Sequence, residues 1–588
     1  MQATVNSIGE LIQSNIRYRI PIFQRRYVWK EEQWERFAED MDSLLDDNRK
    51  YFLGSLILKG EALGEQDHDN YIREKYIVID GQQRLTTLFI YMKLLLVKTG
   101  RIDDFAYAYC RNRQLNQPIL DHNSDDTAPF RMVLKREIFA EITNPNSNIE
   151  KAHNFFVSHI TRKYGDDIAT IGRLRRTIEA NVNFVGIKLE IGENNEQQIF
   201  YTINNLGVDL DTAELLKNFL FTSQEDEVSY RREGGWKSMF DSDEAQKFWK
   251  RDTEKSRQDA KKENKNIEQF LNAYVRIKMY GEHKDRLNEQ RRKTLAKLAY
   301  TYDACRALVQ ECQVSKQDLA NEIIEYAKLF KKHFVMDKLD EPIKSCYCIE
   351  RIIYIILATK KYGLVPYVLY LLKNVENEQE LANISEYLES YVVRRILVDS
   401  SDKSYSDLFG ESLISQGIKT AQSLKTYISE RVGSNLEMPN KFKLKIGITT
   451  RDSAIGEESA RLIYYLFEAK FNNSLSYNDC YAVQLMPIRV GNTGWTVCDR
   501  SNQEDTRKGR CKTFGNYFLI KENNKGVWKK TKIKGSMIEH IYSANGDFRS
   551  NQILEDVNTH RVVSDWTSES INDRNQLLVK AFEETWKI

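Results

Sequence analysis

The segment YIVIDGQQRLTTLFIY (76–91) holds the residues best spaced for chemistry. A β-branched run ends at Asp80, Gly81 permits a tight turn, and Leu-rich helical spacing begins within one or two residues. The first-turn amides of such a helix lack intrahelical partners and sit at the positive end of its dipole. That favours an anion, phosphate above all. Arg84 offers a bidentate phosphate partner, Gln82 and Gln83 neutral donors, and Thr86 and Thr87 hydroxyls. Asp80, at the carboxyl end of a strand beside the anion, is placed to hold Mg²⁺ or orient a water. Spacing alone leaves a second reading open, in which Asp80 caps the helix and Arg84 is a surface cation. The segment is not a P-loop, because GxxxxGK[ST] is absent.

A second cluster lies upstream in RIPIFQRRYVWKEEQWERFAEDM (19–41), where Gln24, Arg25, Arg26, Tyr27 and Trp29 precede an amphipathic helix. Arginine with aromatics suits phosphate contact plus base stacking. The plainer alternative is a loop whose Tyr27 and Trp29 anchor the core.

The elements that position these residues follow from pattern. YFLGSLIL (51–58), KYIVID (75–80) and FVGIKLEI (184–191) read as strands, and 81–100 and 210–221 as helices. Residues 223–440 are mostly helical, with IIYIILA (352–358) the most apolar run and far short of the ~18 residues that cross a bilayer. From 441 to 588 the chain gains Gly, Asn and Trp, and short strand-like runs (YAVQLMPIRV, NYFLIK) replace long helices. The layout is that of an α+β multidomain protein divided as 1–222, 223–440 and 441–588.

At 588 residues, with 41% hydrophobic and 29% charged, the chain is globular rather than disordered or fibrous. A net charge of +2 predicts no polyanion partner, so any DNA surface must be local. Eight cysteines, with only the CxC pair Cys346 and Cys348 close together, form neither a disulfide framework nor a zinc site. The amino terminus lacks a secretory pattern, and the protein is expected to be soluble and cytoplasmic, with no membrane contact.

Four ordered pieces, IPIFQRRYVW, YFLGSLIL, YIVIDGQQRLTTL and QIFYTINNLGVDLDTAELLKNFLF (198–221), resemble the amino-terminal domain of GmrSD-type restriction endonucleases. The third is close to that family's DGQQR signature, and SYVVRRILV (390–398) is similar to one of its helical segments. The resemblance implies a sulfiredoxin/ParB-like fold that binds and hydrolyses a nucleoside triphosphate (GTP, ATP, CTP or UTP) with Mg²⁺, coupled to cutting phage or modified DNA. By motif match, Asp80, Gly81, Gln82, Gln83 and Arg84 would form the nucleotide site. Gln24 and Arg25 would face it, and Asn204, Asn205 and Gly207 would shape its rim.

The family's carboxy-terminal domain is an HNH-like His-Me finger, marked by EHI-x-P and a later GN segment. In one register AVQLMPIR (482–489) and FGNYFLIKENNK (514–525) take those places, and 566–586 matches the closing helix. Asn516 then keeps its position, but Gln484 replaces the histidine and cannot act as a base. In the other register MIEHIYSAN (537–545) supplies His540, with too little chain after it to complete the finger. The first register is preferred, so the nuclease is degenerate or completed by a second defence protein or a second copy of the chain. From Asp505 to Lys534 ten cations face two acids, +8 overall, interleaved with aromatics. Arg507, Lys508, Arg510, Lys512, Lys529 and Lys530 are the candidate DNA contacts. Two functions follow: a nucleotide-hydrolysing component of a bacterial anti-phage system that engages DNA, or a regulatory nucleotide- and DNA-binding subunit serving a partner nuclease.

Overall fold

The computed structural model describes all residues except 1, 14, 22–23, 25, 48–49, 65–71, 115–116, 123, 190–211, 222–225, 251–265, 401, 452–453, 473, 489–503, 522–547 and 553–565. The chain is α+β and divides into two compact units, Met1–Tyr230 and Arg231–Ile588.

The first unit is built on a six-stranded mixed sheet: β1 Gln2–Ser7, β2 Ile16–Arg19, β3 Tyr51–Gly60, β4 Glu74–Asp80, β5 Leu120–Asp121 and β6 Val182–Leu189, in the order β1-β6-β3-β4-β2-β5. The apolar runs expected as strands are β3, β4 and β6, all central because they can be buried on both faces. The remaining strands, β1, β2 and β5, are short or polar and carry no strong sequence pattern.

Helix α1 (Glu31–Asp47), α2 (Gln82–Lys98), α3 (Ser124–Lys135), α4 (Asn148–Tyr164) and α5 (Ile168–Asn181) contribute to the main core, where Leu56, Val78, Leu88, Phe89 and Phe156 are nearly inaccessible. Pleating sends Ile57 and Ile79 away from that core, into a small cluster with Ile77, Ile187 and Leu215 of helix α6 (Thr212–Leu220). Helix α2 is apolar almost all round, as a helix buried on every side must be.

The second unit is helical through its middle, including α7 (Ile349–Thr359), α8 (Glu378–Leu397), α9 (Lys441–Thr449) and α10 (Glu457–Glu468). A two-stranded antiparallel sheet, β7 (Cys480–Gln484) and β8 (Tyr517–Lys521), and helix α11 (Ser568–Thr585) follow. The strand expected over YAVQLMPIRV stops at Gln484. Asn516 takes over Leu485 and Met486, whose N–H groups donate to its backbone and side-chain oxygens. Arg351 forms a fully buried pair with Glu389 (2.5 Å) inside the helical middle, and Trp586 Nε1 ties the carboxy-terminal region to it by donating to the same carboxylate. Arg394 of the SYVVRRILV segment donates to the carbonyls of Trp586 and Pro439. Arg394 is thus structural glue.

Among the described residues no helix is long and apolar enough to cross a membrane.

Candidate functional site

Strand β4 ends on Asp80, and Gly81 turns the chain into α2 with φ +98°. A Cβ at Gly81 would lie 2.9 Å from Leu56 Cδ1 and 3.2 Å from the Ser55 carbonyl, so both conformation and space require glycine. Gly81 is the helix N-cap and offers no side-chain cap, and Asp80 does not supply one. The carboxylate instead pairs with Arg84 across one helical turn: Arg84 Nη2 lies 3.2 Å from Asp80 Oδ2, and Nη1 donates to the Leu53 carbonyl at 3.4 Å. Both side chains keep about a quarter of their surface in solvent, 28% for Asp80 and 23% for Arg84. Arg84 is not a lone surface cation, and the guanidinium expected to meet phosphate is shared with a carboxylate.

The glutamines divide their labour. Gln83 is buried and its amide is spent on the FQRRYVW loop: Oε1 accepts the Val28 N–H at 2.9 Å and Nε2 donates to the Arg26 carbonyl at 3.0 Å. Both ends of its amide are thus engaged by the loop. Gln82 is also buried. Gln24 donates to the Ile79 carbonyl at 2.7 Å, which places the loop against the residue before Asp80.

Thr86 and Thr87 return their hydroxyls to the backbone, bonding the carbonyls of Gln82 and Gln83 at 2.8 Å each. Thr87 Oγ1 also meets Tyr27 OH at 2.6 Å, and Trp34 Nε1 donates to that phenol oxygen. Tyr27 is therefore a core anchor, and Trp29 packs at the core's edge, as in the plainer alternative for this segment.

Sequence spacing gave no hint of His122 and Asp126, which arrive from β5 and α3. His122 Nε2 lies 3.0 Å from Thr86 Oγ1, and its Nδ1 lies 3.9 Å from Asp126 Oδ2. Burial drives the His122 ring down to about 3, so it is neutral. Burial also pushes the Asp126 carboxyl up to about 6, opposed by the Tyr27 N–H it accepts at 2.6 Å and by the charge of Arg26. Gly54 was equally unmarked, although a glycine inside a strand pattern is a known sign of a bulge.

Residues 8–221 match the family model described as GmrSD restriction endonuclease, N-terminal domain. The match spans all four motifs that carry the resemblance, and it supports the GmrSD assignment for the first unit. No curated protein matches the chain. Of the residues expected at the site, the structure gathers Asp80, Gly81, Arg84 and Gln24 at one corner of the sheet. Leu215, just beyond the INNLGVDL segment, packs against the strand residues Ile57 and Ile79 beside that corner. Arg25, Asn204, Asn205 and Gly207 lie outside the described residues.

The match ends before the carboxy-terminal region. There Asn516 is fully buried: Oδ1 accepts the Met486 N–H and Nδ2 donates to the Met486 and Cys511 carbonyls, at 2.8, 2.8 and 2.9 Å. Gln484 Nε2 donates to the Cys511 carbonyl at 2.8 Å. These are structural roles that hold the β7–β8 corner together. Lys508, Arg510 and Lys512 are partly exposed on or just after the helix Glu504–Cys511, which also carries Arg507. Lys529, Lys530 and His540 lie outside the described residues. Among the described residues no group of three or more His, Cys, Asp or Glu could hold a metal ion.

A cavity of about 570 Å³ in the second unit is lined by Arg395, Lys443 and Arg451 among others. Arg451 is committed to the carbonyls of Gly447, Ile396 and Leu397, and Lys443 pairs with Glu437. It contains none of the expected site residues.

Proposed function

We propose that the chain is a nucleotide-hydrolysing component of a bacterial restriction or anti-phage system, with a sulfiredoxin/ParB-like site at the Gly81 corner. The observation that carries the reading is the partly exposed Asp80–Arg84 pair. It sits at a strand end and an uncapped helix start, within the region that matches the GmrSD N-terminal model. An incoming triphosphate would meet the first-turn amides and take over Arg84. Asp80, released from the guanidinium, would face the metal or the attacking water. A single carboxylate suits Mg²⁺, which completes its shell with water and substrate phosphates. Mg²⁺ bound there would supply charge neutralisation on the phosphates. Gln24 and Gln83 hold the loop and strand that frame the corner.

The test is phosphate release from each nucleoside triphosphate with Mg²⁺. Wild type releases it, and Asp80→Ala and Arg84→Ala do not. Turnover unchanged in both variants contradicts the reading.

A second reading, a regulatory nucleotide- and DNA-binding subunit serving a partner nuclease, draws support from the burial of Asn516 and the hydrogen bond of Gln484. Both are consumed by the fold, so the HNH-like site would need its base from a partner. Phage or modified DNA is the expected substrate of the assembly. Binding of nucleotide without turnover, and cleavage only with a second protein, would favour this reading.

A further inference from the structure

We propose that Gly54 is a positioning residue whose missing side chain forms the seat of the Arg84 guanidinium; the proposal rests on the nucleotide reading of that site. Gly54 lies inside β3, where its pairing with β6 shifts register between Phe52 and Gly54, and its φ is +125°. Glycine in a strand interior weakens the strand unless something needs the space. Here something occupies it. A Cβ at Gly54 would lie 1.7 Å from Arg84 Nη1 and 2.9 Å from Arg84 Cζ. The positive-φ glycines Gly100, Gly165, Gly417 and Gly433 have nothing within 4 Å of the same point. Among the positive-φ glycines of the described residues, Gly54 has a guanidinium inside the space a Cβ would fill, whereas the nearest charged atom at Gly234, Lys328 Nζ, stays at 3.8 Å.

The bulge supplies two parts of the cradle. It turns the Leu53 carbonyl toward Nη1, at 3.4 Å, and it leaves the gap that the guanidinium fills. Asp80 closes the third side at 3.2 Å. Arg84 is long and flexible, so a methyl group at position 54 would displace the guanidinium rather than break the sheet. The displaced group would lose Leu53 O and Asp80 together, and with them its aim at the helix start. The strand thus decides where the helix's cation points.

The test is a double-mutant cycle on the full chain with Gly54→Ala and Arg84→Ala. Two readouts are used: ligand-free thermal midpoint and affinity for a fluorescent nucleoside triphosphate. Backbone strain from φ +125° is common to both backgrounds and cancels in the cycle. Gly54→Ala is expected to weaken nucleotide binding about tenfold, the loss of a charge-assisted contact. In the Arg84→Ala background it is expected to change affinity less than about twofold. In the ligand-free cycle the two losses should sum to more than the double variant shows. Additive losses in both readouts overturn the proposal. If wild type binds no nucleotide, the nucleotide reading fails, and the ligand-free cycle alone decides the role of Gly54. If Gly54→Ala does not fold, methylguanidinium added to Arg84→Ala decides. It should raise the thermal midpoint of that variant more than methylammonium does and leave wild type unmoved. Equal effects of the two cations overturn the seat.

Discussion

The side-chain amide of Gln83 accepts the backbone N–H of Val28 at 2.9 Å and, through its other end, donates to the carbonyl of Arg26. One buried side chain on the first turn of α2 thus fixes a loop from far upstream in the sequence. Within the DGQQR segment, Gln83 is thus a clamp on that loop.

Truncating the clamp exposes its worth. Gln83→Ala leaves the Val28 N–H and the Arg26 C=O without this partner, and should cost about 2–3 kcal/mol. Gln83→Glu keeps the acceptor but loses the donor, and should fall between. Urea midpoints of the purified variants measure this. An alanine variant as stable as wild type would contradict the clamp.

The Asp126 carboxyl, raised by burial from 3.8 to about 6, gives the first unit a defined acid response. Between these values the folded state binds the proton and the unfolded state does not. Its contribution to stability is therefore greatest at low pH and is lost as pH climbs through about 6. Asp126→Asn can still accept the Tyr27 N–H but cannot titrate. Relative to wild type it should gain about 2–3 kcal/mol between pH 4 and 7. A constant difference across that range would show that Asp126 does not titrate in the fold.

Lys93 is the opposite case. Its ammonium group lies fully buried in α2 with no hydrogen-bond partner among the described residues. Desolvation, aided by the charge of Arg136, lowers it from 10.5 to about 7. The unfolded chain binds the proton more readily between these values, so stability should rise with pH from about 7 to 10.5. Lys93→Met keeps the volume and removes the charge. It should stabilise the protein at pH 7 by several kcal/mol, on the order of what such a shift represents. It should also flatten the alkaline limb of the denaturation curve. A destabilised methionine variant would point to an unseen partner for the amine.

What could be read from sequence was local. β4, Gly81 and α2 follow from a β-branched run, a glycine and a Leu-rich repeat that are contiguous, so no tertiary information is needed to place Asp80 at the corner. The partners of that corner come from elsewhere. Thr86 meets His122 across 36 residues and Tyr27 meets Asp126 across 99, and nothing in spacing marks such pairs. The short strands β2 and β5 exist because β4 offers an edge to β2 and β2 offers one to β5, not because IRYR or LD prefers to be extended. The charge of Arg84 was visible in the sequence and its seat, an absence at Gly54 in β3, was not.

Asn516 separates a structural from a catalytic carboxy-terminal site. Its three short bonds to Met486 and Cys511 are all to backbone and fully buried, so Asn516→Ala should cost about 3 kcal/mol or more. The loss should appear as earlier proteolysis or unfolding of residues 480–588. Any DNA binding measured on folded protein should survive. Unchanged stability with lost DNA cleavage would instead make it a catalytic residue.

The Asp80–Arg84 pair predicts that binding and turnover can be pulled apart. In the free protein the two charges neutralise each other at 3.2 Å, with both side chains partly in solvent, so the pair holds roughly 1 kcal/mol. A metal-free triphosphate must pull Arg84 away and leave Asp80 facing phosphate oxygens of like charge. Asp80→Asn removes both costs. The variant should therefore bind nucleotide in the presence of a chelator about three- to tenfold more tightly than wild type. The gain should shrink as ionic strength rises. Phosphate release with Mg²⁺ should nevertheless fall, because the carboxylate that would face the metal or the water is gone. Arg84→Lys should do the reverse to binding, since an ammonium lacks the planar fork that can keep Leu53 O and still meet a phosphate once Asp80 is released. Fluorescence titrations with and without chelator, set beside phosphate release, decide the matter. Tighter metal-free binding together with lost turnover is the outcome this geometry requires, and weaker metal-free binding by Asp80→Asn would place the nucleotide away from the Gly81 corner.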